Sequence, residues 1–244
     1  MALTVDGQLF VWGGNDYGQL GFRIDKIITS PQCVELPAHL NIIDIVAGDY
    51  FSAFLTEQGE VYVCGNNENG SLGLGNAFIR WPSFTRVTEV IKDKRISQLK
   101  SGMTHMVAMS DDGEVFVWGT YGAKRRTSGK NFFSSNIPQK LPLQTEVISI
   151  NCASEMIFIL TKESKEYEVI TYGEHEYFKN KMLPGLKGAL IAEYLQQKKE
   201  RTKSDFFAKT MNELPYTNIS IHCFFYDSED KKNNETSLPI LRTI

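Results

Sequence analysis

The chain repeats itself. DGQLFVWG at residues 6–13 returns as QGEVYVCG at 58–65, as DGEVFVWG at 112–119 and more loosely as EYEVITYG at 166–173, so the copies start 52, 54 and 54 residues apart. A period of this length belongs to stacked or radial arrays, in which each unit buries its apolar faces against its neighbours. A second matching stretch precedes each copy: ALTV from Ala2, FSAFLTE from Phe51, HMVAMSD from His105 and MIFILTK from Met156. Asp6-Gly7, Gln58-Gly59 and Asp112-Gly113 separate the two apolar runs of a unit, as a tight hairpin with positive φ at glycine requires.

The second strand of each hairpin is apolar on both faces. Val11, Val63 and Val117 point one way and Phe10, Tyr62 and Phe116 the other, so these strands are expected to be covered on both sides. Trp12 and Trp118 each precede a glycine, a pairing that suits a crowded contact between sheets. Two further strand candidates lie between hairpins, QCVEL from Gln32 with IIDIVAG from Ile42, and FTRVTEV from Phe84 with RISQLKSG from Arg95. Four strands per unit, repeated radially, describe a propeller blade. The expected fold is an all-β repeat over residues 1–173, a partial β-propeller of about three blades of four-stranded antiparallel sheet, with a C-terminal α+β extension over 174–244.

Extending the motif gives WGGNDYGQLGF from Trp12 and CGNNENGSLGLG from Cys64, followed by Pro31 with Val34 and by Pro82 with Val87. With AGDYFSAFLTEQG from Ala47 and SGMTHMVAMSDDG from Ser101, this pattern resembles the regulator of chromosome condensation repeat family, over residues 1 to about 173. The resemblance implies a fold whose usual form has seven blades. It also implies a role in binding other proteins, with guanine nucleotide exchange on a small GTPase as the activity of the founding member. Kelch repeats have a similar length but carry a doubled glycine in every copy, and here Gly13-Gly14 is answered by Gly65-Asn66 and Gly119-Thr120.

The departures from the pattern are local. After Gly119 the third copy reads TYGAKRRTSGKN and loses the NxxGxLG segment. The histidine of the family's GxxHS turn survives as His105, replaced by Phe51 one repeat earlier, and is read as a turn residue hydrogen-bonded to backbone. Aligning Gly7 with Gly59 and Gly113 sets Met1 opposite Ala53 and Val107, so the first blade is expected to lack a strand and the chain to be a fragment or an open array. Beyond Gly173 the spacing of Leu186, Leu190, Ile191, Tyr194 and Leu195 predicts an amphipathic helix that caps the last sheet. A second helix is predicted after an N-cap at Ser204, and a strand from Thr217.

Charge selects no partner class: the net value is −3 with both signs interspersed, which argues against a dedicated nucleic-acid or anionic-membrane surface. Cys33, Cys64, Cys152 and Cys223 form no CxxC pair, so neither a structural zinc site nor a disulfide framework is indicated. With neither a basic-then-apolar leader nor a long apolar run, the sequence reads as soluble and intracellular, cytoplasmic or nuclear. P-loop, GxSxG, HExxH and EF-hand signatures are absent from the sequence, and no catalytic, cofactor or metal residues are assigned. The chain is therefore read as a non-enzymatic interaction module or scaffold whose partner is another protein, with self-association through open blade faces also expected. The candidate contacts are Arg80 and Trp81, in the segment from Phe78, and Lys124, Arg125 and Arg126, in the loop to Lys130.

Overall fold

Each hairpin of the repeat closes through the same turn. The amides of Gly7, Gly59 and Gly113 donate to the carbonyls of Thr4, Thr56 and Ser110 at 2.9–3.0 Å, and all three glycines have φ near +81°. Only a residue without Cβ takes this conformation at no steric cost, so the turn sets the strand register. The structure is a computed structural model, and it describes residues 1–23, 27–76, 78–121, 133–163, 166–173 and 219–221.

Four antiparallel sheets follow one another along the chain. The first contains Ala2–Thr4 (β1), Leu9–Gly13 (β2) and Ile28–Cys33 (β3). The second is Ile42–Ala47 (β4), Phe51–Thr56 (β5), Val61–Asn66 (β6) and Arg80–Arg86 (β7). The third is Ile96–Ser101 (β8), His105–Ser110 (β9), Val115–Tyr121 (β10) and Phe133–Lys140 (β11). The weak fourth copy also folds, as Glu146–Ala153 (β12), Met156–Glu163 (β13) and Glu166–Tyr172 (β14). Three four-stranded blades match the expectation, and this three-stranded sheet extends the array by one.

The fourth strand of the first blade comes from far along the chain. Ile219–Ile221 (β15) pairs antiparallel with β1, Leu3 opposite Ser220, and takes the place that β4 and β8 hold in the next two sheets. The expected C-terminal strand is thus present, and it fills the position the sequence leaves vacant in the first blade. The predicted helices over 186–213 lie outside the described residues. Of two neighbouring strand residues one aims its N–H at the partner, so prolines at both 219 and 220 remove at least one ladder bond. We expect that double variant to lose about 1–2 kcal/mol of stability and the hydrogen-exchange protection of residues 2–4. Unchanged protection there would show that β15 does not hold this edge.

The core lies between sheets. Leu9, Val11, Ile45 and Phe54 join the first two blades, Leu55, Val63, Leu72, Phe116 and Trp118 the second and third, and Val107, Val117, Ile157 and Ile159 the third and fourth. Phe116 and Val117, adjacent on β10, enter different clusters, as the two-sided strand pattern requires. Trp118 is wholly buried, donates Nε1–H to Ser71 O at 2.9 Å and packs so closely on Gly73 that a Cβ there would stand 2.8 Å from its Cδ1.

The repeats also agree in their irregularities. Pairing slips at Val11/Gly13, Val63/Gly65 and Val117/Gly119, a bulge at the same place in each blade. Each outer strand contains a proline, Pro31 in β3, Pro82 in β7 and Pro138 in β11. Proline cannot donate to a ladder, so these free edges are poor templates for another strand.

Candidate functional site

The NxxGxLG segments are built around a buried asparagine. Asn67 Oδ1 accepts from the Leu72 amide at 3.1 Å and its Nδ2 donates to Phe78 O at 3.2 Å, while Asn15 does the same with Leu20 N and Phe22 O at 2.9 and 3.0 Å. These side chains are loop organisers, and they settle where the neighbouring residues point. In the second blade the loop runs onto the outer strand of the third: Gly75 N donates to Asn136 O at 2.9 Å, and a Cβ at Gly70 would lie 2.7 Å from Ser135 O.

A groove of about 600 Å³ follows this contact, with Asn67, Glu68, Asn69 and Asn76 on one wall and Ser134, Asn136 and Gln139 of β11 on the other. Ile79 lines one side and is 56% exposed, and Phe78 beside it is 71% exposed. The Glu68–Asn69 turn also borders a second cavity, of about 130 Å³, enclosed by Tyr17, Asp49, Tyr50, Asn66, Met103 and Thr104. The Tyr17 and Tyr50 rings are 5.0 Å apart at 51°, and the Asp49 carboxyl is pushed above its usual range by burial and by the charge of Glu155. Groove and cavity thus form one continuous surface over the loops of the first three blades.

Arg80 opens β7 and is exposed. Trp81 is half-buried against the cluster between the second and third blades, at 6.1 Å from the Phe78 ring, and its Nε1 is buried with no hydrogen-bond partner among the described residues. It therefore serves its own blade first. Lys124, Arg125 and Arg126 lie outside the described residues. The ends of their loop are fixed: Tyr121 and Phe133 stack at 5.0 Å and 18°, and Thr120 donates to Asn69 O at 3.1 Å. The segment from Phe78 and the residues flanking the basic segment therefore border the same face.

Tyr17, Asp49, Tyr50 and the Asn67–Asn69 turn escape a reading of the sequence because they meet only across blades. His105 is wholly buried beside Tyr121, at 5.6 Å between ring centroids. It interacts with the Met156 backbone without reaching hydrogen-bond geometry, so packing holds it in place of the backbone bond expected.

The described residues contain no group of three His, Cys, Asp or Glu placed to hold a metal ion, and no helix long and apolar enough to cross a membrane. The profile of the regulator of chromosome condensation (RCC1) repeat matches residues 6–55 and 58–109, and a second profile of the same repeat matches 42–71. Residues 6–109 are RCC1 repeats. Among relatives, the probable E3 ubiquitin-protein ligase HERC6 of Homo sapiens is 30% identical over 180 residues, 72% of this chain and 17% of its own length. The E3 ubiquitin-protein ligase HERC2 of Mus musculus is 34% identical over 121 residues, 49% of this chain and 2% of its own.

Human WBSCR16 is a structural neighbour at 25% identity and a TM-score of 0.57, over 68% of this chain and 43% of that one. Yeast Prp20, solved with Kap60, superposes with a TM-score of 0.61 at 20% identity, over 77% and 45% of the two chains. The RCC1 propeller is thereby the fold of the described repeats. The chain spans less than half the length of each of these proteins.

Proposed function

We propose that this chain is a protein-interaction module whose partner docks on the loop face between the second and third blades. The observation that carries this reading is the pair Phe78 and Ile79, 71% and 56% exposed beside a polar groove on a rigid two-blade platform. Apolar anchors of this kind, rimmed by hydrogen-bonding groups, are what protein interfaces use at their centres. Arg80 belongs to the same reading as a rim residue, Trp81 as the support beneath Phe78, and Lys124, Arg125 and Arg126 as candidate contact charges of the segment between Tyr121 and Phe133. The activity is binding, with no chemical step assigned to this chain. Guanine nucleotide exchange is the alternative, and it rests on the family and on relatives such as the X-linked retinitis pigmentosa GTPase regulator of Homo sapiens, of which this chain covers 14%.

The test substitutes Phe78→Ser together with Ile79→Ser. Both side chains are largely exposed, so the urea midpoint is expected to stay within experimental error of the parent. Affinity for a partner captured by the parent chain is expected to drop by about 30-fold or more. Unchanged affinity with unchanged stability would move the interface elsewhere.

A further inference from the structure

The smaller cavity has a composition of its own. Two tyrosine rings, Tyr17 and Tyr50, meet at 5.0 Å on one side, and the acidic residues Asp49 and Glu68 border the same space. The other lining residues, among them Met103 and Thr104, include no lysine or arginine. At about 130 Å³ it is well below the roughly 300–1,000 Å³ of small-molecule sites, and so has room for one inserted side chain.

Electron-rich ring faces attract a cation, and a partly desolvated carboxylate raises that attraction further. Guanidinium fits such a place better than ammonium, because it is planar, more weakly hydrated and able to stack on a tyrosine while bonding a carboxylate. We propose that the cavity beside Tyr17 and Tyr50 receives an arginine side chain of a partner protein, its guanidinium lying against the tyrosine rings and pairing with Asp49 and Glu68. The inference rests on the interaction-module reading and gives the partner a chemistry: a basic segment that reaches over the Glu68–Asn69 turn. Continuity with the groove supports this occupant, since Glu68 and Asn69 line both spaces and Ile79 lines the groove.

The cavity's preference is separable from the groove by a synthetic probe. Binding of fluorescent hexa-arginine to the full chain is measured by anisotropy, against hexalysine and hexaglutamate of equal length. Expected are a preference for hexa-arginine, no binding of hexaglutamate, and about tenfold weaker hexa-arginine binding for Asp49→Asn and for Tyr50→Ala. Tyr50→Phe keeps the ring face and is expected to retain binding within about twofold. Asp93→Asn removes an exposed carboxylate that the cavity does not include and is expected to change nothing.

Equal losses for Asp93→Asn and Asp49→Asn would reduce the effect to overall charge and overturn the proposal. So would hexa-arginine binding that ignores both Asp49→Asn and Tyr50→Ala. A large gain in affinity on changing Lys124, Arg125 and Arg126 to glutamine would assign the cavity to the chain's own basic loop and overturn it as well. The Phe78→Ser/Ile79→Ser variant should bind hexa-arginine normally. Loss of partner capture in that variant, alongside a peptide that ignores the cavity, would leave the module reading standing and remove only this inference.

Discussion

Alanine at Gly119 is expected to destabilise the chain by about 4 kcal/mol, and alanine at Gly13 by only about 1–2 kcal/mol, although the two glycines occupy the same place in the repeat. Both have positive φ, +85° and +110°, and both follow the tryptophan of a bulged strand. Backbone strain is therefore common to the two substitutions. What differs is the floor beneath them. A Cβ at Gly119 would collide with the Thr104 carbonyl oxygen and stand 2.7 Å from His105 Cα, whereas at Gly13 none of the described residues lies within 4 Å.

Gly65 sits like Gly119, since a Cβ there would stand 2.7 Å from Phe51 Cα, so the crowding belongs to any blade whose first turn runs under its third strand. Backbone atoms cannot rotate away as a side-chain tip can, which is why the overpacking term adds in full. Urea unfolding of the two single variants, with m-values compared to guard against a change in mechanism, gives both costs. Equal midpoints for Gly13→Ala and Gly119→Ala would show that φ alone keeps these glycines.

That comparison marks where the sequence is legible and where it is not. The hairpins, the two-sided strands and the inter-blade tryptophan are local in origin, so DGEVFVWG alone places Phe116 and Val117 in the two clusters they occupy. The weak fourth copy, EYEVITYG, also forms a sheet, because Ile157 and Ile159 on its partner strand supply the inward face. β15 is foreseeable as a strand but not as a neighbour of β1, since pairing across more than 200 residues leaves no periodic trace.

The interaction face divides the same way. Phe78 and Ile79 stand out as apolar residues in a loop, and the structure keeps them exposed. Trp81 stands out equally, yet it is half taken up by its own blade. Tyr17 and Tyr50 border different blades, 33 positions apart, and become a pair only when adjacent blades bring their loops together.

His105 should make the fold acid-sensitive in a way that Phe51, its counterpart one repeat earlier, does not. Both rings pack against the glycine three residues before them, Phe51 on Gly48 and His105 on Gly102, so the site accepts a plain hydrophobic ring. Burial lowers the histidine's pKa to about 4 from 6.5, the Met156 backbone pulling weakly the other way. In the unfolded chain the imidazole takes its proton near pH 6.5, and in the folded chain only near 4. Between these values the unfolded state binds more protons, so stability is complete above pH 6.5, falls as pH falls, and has lost its full share by about pH 4. The span corresponds to about 3 kcal/mol.

His105→Phe removes the proton without emptying the space, and its cost at pH 7 is expected to stay below about 1.5 kcal/mol. Urea unfolding from pH 7 to pH 4 should therefore show the parent losing about 3 kcal/mol more than the variant, the two curves converging or crossing on the acid side. Carboxylates shared by both chains, such as Asp112, whose partner Lys94 holds its pKa down to about 2, act equally in each and drop out of the difference. Parallel curves across this range would mean that His105 takes its proton at the same pH in the folded and unfolded chains, burial being offset by a partner for the imidazolium.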